Sequence, residues 1–90
     1  MELKFIKNIQ FSRLIKVDGK LKEFNFRKSN GKQEGSFTVD TIDDRGNRIV
    51  FNMEKTGMGW KIITTGLPEW VLSTESDCNE WIEKEFSQQN

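Results

Sequence analysis

Along most of this chain large apolar and polar residues alternate, and a period of two marks β-strands with one buried face. Residues 9–17 send Ile9, Phe11, Ile15 and Val17 to one side, with Arg13 the exception in the series. Asp18-Gly19 comes next and signals a two-residue hairpin, because a type I′ turn needs positive φ at its central positions. The return segment, residues 20–28, places Phe24 and Phe26 on one face, and Ser29-Asn30-Gly31 opens the next loop. Residues 35–42 alternate Phe37, Val39 and Thr41 against Ser36, Thr38 and Asp40. Asp43-Asp44-Arg45-Gly46-Asn47 reads as a second hairpin loop, with Gly46 suited to the left-handed position. Residues 48–54 set Ile49, Phe51 and Met53 against Arg48, Asn52 and Glu54. After the turn at residues 56–59, residues 60–65 present Trp60 and Ile62 on one side and Ile63 on the other. The first eight residues alternate at Leu3-Lys4-Phe5 as an edge strand does, although Leu3, Ile6 and Ile9 also sit at helical spacing; they are assigned here to a strand.

The period then changes. Cys78, Trp81, Ile82 and Phe86 form one apolar stripe at helical spacing. Thr74 with Asp77 three residues on predicts a weakened capping box, with Ser73 and Ser76 as rival caps. Glu75, Asp77 and Glu80 fall in the first turns, where the helix dipole favours negative charge. In the connector, Pro68 suits the start of a short helical turn. A helix with such a stripe must bury it, and the apolar face of the sheet is the available surface. The predicted fold is therefore α+β: an antiparallel β-meander of about five or six strands with a C-terminal α-helix packed on one face. Residues 1–90 make a single domain, with the sheet in 1–65, a connector in 66–73 and the helix in 74–87.

Composition narrows the chemistry. Histidine is absent and there is one cysteine, which removes the commonest general base and the usual zinc ligands. No cofactor or metal is expected. Cys78 lies on the apolar stripe among acids, which reads as a core thiol more than as a nucleophile. Asp43 and Asp44 read as turn residues, because the run lacks the alternating oxygen ligands and distal Glu of a calcium loop. No Gly-Lys-Ser/Thr comes after Gly57-Met58-Gly59, so it reads as a turn and not a phosphate loop. The chain is expected not to be an enzyme. No stretch approaches the ~20 apolar residues of a membrane span. With no secretory signal in the opening residues and a lone cysteine, a cytoplasmic location is expected.

Charge supplies the remaining signal. The formal net charge is zero over 14 basic and 14 acidic residues, but the cations crowd into residues 1–33 and the acids into residues 34–90. Either the basic part meets an anionic partner or the two parts face each other in the fold. Trp70 and Leu72 in the connector are the candidate protein-binding residues, since Trp is enriched at binding hot spots. The leading expectation is a small non-catalytic domain acting through protein–protein interaction or self-association. The alternative is single-stranded nucleic-acid binding by Arg13, Lys16, Lys20, Lys22, Arg27 and Lys28, interleaved with Phe24 and Phe26. A third reading is a small-ligand pocket between helix and sheet, lined by Phe37, Phe51, Trp60 and Trp81.

Overall fold

The computed structural model describes residues 10–28 and 35–89, with side-chain surroundings given as far as Glu85. The expected first strand, the Ser29-Asn30-Gly31 loop and the place of Phe86 in the stripe lie outside the described residues. The elements are β1 (Gln10–Val17), β2 (Lys20–Lys28), β3 (Ser36–Ile42), β4 (Arg48–Thr56), β5 (Gly59–Ile62), α1 (Glu69–Leu72) and α2 (Glu75–Gln89). The strands form one antiparallel sheet in the order β1-β2-β3-β4-β5, so the meander and its C-terminal helical region stand as the alternation predicts.

The β1–β2 hairpin closes on Asp18 (φ 51°) and Gly19 (φ 79°), the positive pair that a type I′ turn requires. Register then puts Phe11 beside Phe26, Arg13 beside Phe24, Phe26 beside Val39 and Val39 beside Phe51. These residues share the face toward the helix. Phe24, Phe26, Phe37, Val39 and Met53 are fully buried there, joined by Val71, Cys78 and Ile82 from the helical part. Phe11 stacks on Phe26 with ring centroids 4.7 Å apart, and Phe37 meets Trp60 edge-on at 5.2 Å. Aromatic pairs in such geometries add to what burial alone contributes.

β4 and β5 end where hydrogen-bond partners change. β4 runs on to Thr56, beyond the expected Glu54, and the Lys55 N–H donates to the Gly35 carbonyl (2.9 Å). β5 stops at Ile62, short of the expected Thr65: the Asn52 N–H turns to the Thr64 hydroxyl (2.8 Å) in place of a main-chain carbonyl. Thr74 stands immediately before α2, where a cap is expected, but its side chain bonds differently. Thr74 is buried (1% exposed), and its hydroxyl donates to the Val71 carbonyl (2.6 Å) and lies 3.8 Å from Cys78 Sγ. Thr74 thus ties α1 to α2 where the sequence predicts a capping box with Asp77. Pro68 precedes α1, and its carbonyl accepts the N–H groups of Val71 and Leu72.

The helix is fixed to the sheet by more than its stripe. Asn79 Oδ1 accepts the Trp60 N–H (2.7 Å) and Glu75 Oε2 accepts the Ile62 N–H (2.9 Å). Helix residues four apart are neighbours on one face, and strand residues two apart point the same way, so the two spacings match. The outer edge of β5 is thereby closed by side chains, one of the ways in which proteins prevent edge-to-edge pairing. Among the described residues, no helix is long and apolar enough to cross a membrane.

Candidate functional site

The helix covers only one face of the sheet. On the other face register aligns Ser12 with Asn25, Asn25 with Asp40 and Asp40 with Val50. The polar members are linked across four strands. The Ser12 hydroxyl donates to Asn25 Oδ1 (2.5 Å), Asn25 Nδ2 donates to Asp40 Oδ1 (3.0 Å), and Arg48 Nη2 donates to Asp40 Oδ2 (3.1 Å). Asp40 is 8% exposed although it lies on the uncovered side of the sheet. Each of its oxygens has a donor, as a carboxylate removed from water requires.

A concavity of about 470 Å³ lies over this ladder; its lining is Gln10, Ser12, Asn25, Arg27, Asp40 and Arg48, with Phe11 and Phe26 as the apolar part. Arg27 pairs across strands with Gln10 and Thr38, both uncharged, and forms no ion pair among the described residues. Around the ladder stand Leu14, Leu21, Ile42 and Val50, 45–64% exposed. Ile63, whose N–H bonds the Asn52 carbonyl (2.9 Å), extends that set beyond β5.

The six candidate nucleic-acid residues are divided between the two faces. Arg13, Lys20, Lys22 and Lys28 pair with Phe24, Val17, Ile15 and Phe37 and so share the helix-facing side. Lys16 and Arg27 lie on the uncovered side. Phe24 and Phe26 are sealed in the core and present no ring to a base. Several of these cations meet acids from the second part of the chain. Arg13 is held by Glu85 and lies over the rings of Phe11 (5.1 Å) and Trp81 (4.9 Å). Lys22 reaches Asp44 at 2.8 Å and Lys20 reaches it at 3.9 Å.

Trp70 is half-buried against the core, with the Lys22 ammonium 5.1 Å from its ring centroid, and it helps to line a smaller concavity of about 100 Å³. Leu72 is 45% exposed. Trp70 and Leu72 thus stand apart from the polar ladder, in the helical segment before α2. Phe37, Phe51 and Trp60 are buried in the continuous core, and neither concavity is lined by any of them.

Asp43 and Asp44 do different work in their loop. Asp43 Oδ1 accepts the N–H groups of Asn47 (2.8 Å) and Arg45 (2.9 Å), and these bonds hold its carboxyl below the ordinary value of 3.8. Asp44 is lowered first by its hydrogen bond from Lys22 and then by the charges of Lys20 and Lys22. Burial pushes the Cys78 thiol up to about 12, against the helix-terminus effect that would make it reactive. Among the described residues no group of three or more Cys, Asp or Glu comes together to hold a metal ion.

The sequence does not announce the ladder. Its only signal there is that Ser12, Asn25, Asp40 and Arg48 all fall on polar positions of the alternation. Which of them meet depends on cross-strand register. The chain matches no protein-family model, no curated protein and no solved structure.

Proposed function

We propose that this chain is a non-catalytic module that binds another protein or a second copy of itself through the uncovered face of the sheet. The observation that carries this reading is the set of aliphatic side chains opposite the helix: Leu14, Leu21, Ile42, Val50 and Ile63, all at least 45% exposed. Isolated exposed apolar residues are ordinary, but several on one sheet face mark an interaction surface. Charge supports the same assignment. Arg13, Lys20 and Lys22 are engaged within the fold, which leaves less of the basic part for an anionic polymer.

The test is sedimentation velocity over a rising concentration series, with Leu21→Lys and Ile42→Lys variants whose circular dichroism matches the unsubstituted chain. Self-association lost in both variants supports the assigned face. Self-association kept in both but lost in Leu72→Lys moves the surface to α1. If the chain is monomeric throughout, a photoreactive side chain at position 21, 42 or 72 decides in the native cell. Adducts from 21 or 42 support the sheet face, and adducts from 72 alone reject it. Salt-dependent binding of labelled oligonucleotides, lost in Lys16→Gln and Arg27→Gln, would replace the protein partner by single-stranded nucleic acid.

A further inference from the structure

The polar ladder has a second consequence, independent of what covers the aliphatic residues around it. We infer that the concavity above Asp40 is a binding site for a small oxyanionic molecule, one carrying a carboxylate or a phosphate, with Arg27 and Arg48 as its anchors.

Among the described residues the lining carries two guanidinium groups and one carboxylate, an excess of one positive charge. The carboxylate is already occupied. Asp40 takes one hydrogen bond on each oxygen, from Asn25 and from Arg48, and is shielded from water. Its effect is to orient. Arg48 gives Nη2 to Asp40, and a guanidinium has five N–H donors in a planar fork, so most of that fork remains for another acceptor. Asn25 is fixed in turn by Ser12, whose hydroxyl takes up its Oδ1 and leaves the amide as a donor. Arg27 enters the same concavity with no acid partner among the described residues. The surplus is therefore of donors and positive charge, held by a hydrogen-bonded base. Carboxylates and phosphates are the acceptors whose geometry matches such forks.

Size separates a molecule from a bare ion. About 470 Å³ falls in the range of small-ligand sites and well above what one phosphate fills. Polar groups make up most of the lining and Phe11 and Phe26 the rest, which argues against a wholly apolar ligand. Within this site Arg27 and Arg48 contact the ligand, and Asp40 is a positioning residue.

The test is a titration of the 15N-labelled chain by NMR with succinate, with inorganic phosphate and with glycerol as the neutral control. The expected result is a saturable shift of the Arg27 and Arg48 Nε–Hε signals and of the Ser12, Asn25 and Asp40 amides, with succinate or phosphate and not with glycerol. The stronger of the two anions identifies the ligand chemistry. Arg27→Gln weakens binding by about tenfold, the loss of one charge-assisted contact. Arg48→Lys weakens it as well, because the charge is kept but the fork is lost. Lys61→Gln, outside the concavity, leaves it unchanged. Shifts that rise linearly without saturation, that glycerol reproduces, or that persist equally in Arg27→Gln overturn the inference. The spectrum of each variant reports its own folding, so a weakened site is distinguished from a lost structure.

Discussion

At Gly59 the backbone holds φ at 113°, and a Cβ built there would lie 2.9 Å from Asn79 Oδ1. That oxygen is not free to move aside, because it accepts the Trp60 N–H. Gly59→Ala is expected to lose about 1–3 kcal/mol, read as a lower urea midpoint at unchanged slope. Gly46 also has positive φ (87°), but nothing lies within 4 Å of its added Cβ, so Gly46→Ala is expected to lose less. The Asp43 loop is a second place where one residue sets the conformation. Its carboxyl is lowered in the native state, chiefly by the Asn47 N–H, so the unfolded chain binds the proton more tightly. The stability it contributes is present above its ordinary value of 3.8 and is lost as pH falls through the lower native value. Two results are expected: a carboxyl 13C titration of Asp43 with its midpoint below 3.8, and a destabilisation by Asp43→Ala at neutral pH that fades in acid.

Between elements, the contact of β5 with α2 joins the short last strand to the helix. Asn79 and Glu75 supply acceptors to two N–H groups that the edge of a sheet would leave open. Asn79→Ala strands the Trp60 N–H in a part-buried position, and a lost partner of that kind costs about 1–3 kcal/mol. Glu75→Gln keeps an acceptor oxygen for the Ile62 N–H and gives up its weak pairing with Lys61 and its charge at the start of α2, so its effect is expected to be smaller than that of Asn79→Ala. Hydrogen exchange locates the effect: the Trp60 amide should lose protection in Asn79→Ala before the amides of β2 and β3 do. Protection unchanged at Trp60 would show that the side-chain cap is not what closes this edge.

Across the molecule, the opposed charges of the two parts of the chain meet in the fold. Arg13 is an inward-pointing cation on β1, the outermost described strand on its side of the sheet, held by Glu85 of the terminal helix and near two aromatic rings. The pair is mostly shielded, with 29% and 13% of the two side chains exposed. Glu85→Gln therefore leaves a poorly solvated guanidinium against the core and is expected to lose about 1–3 kcal/mol in thermal or urea unfolding. Replacing both members, Arg13→Leu with Glu85→Leu, should recover much of that loss, because no unpaired charge remains. A double variant as unstable as the sum of the single ones would mean that the pair contributes through something other than mutual compensation.

Periods and local rules are enough to specify the elements and their faces. Alternation places Phe24, Phe26, Phe37, Val39, Phe51 and Met53 on one face, because side chains on a strand must alternate. Asp18-Gly19 and Asp43–Asn47 mark turns through backbone freedom and short-range hydrogen bonds. The stripe Cys78, Trp81, Ile82 marks a helix and the side it buries. These signals are local, so the α+β meander and the face of each residue are legible in the sequence without any contact being known. The site is not, because its parts come from β1, β2, β3 and β4 and meet only through register. Ser12, Asn25, Asp40 and Arg48 are separated in the chain by other polar residues of the same types, and nothing in their neighbourhoods marks them out. The partners of the basic residues are likewise settled by packing. Arg13 is the exception in its alternating strand, and only the arrival of α2 gives that inward charge an acid. Where a side chain points is set by backbone period, whereas what it meets is set by how elements far apart in sequence pack.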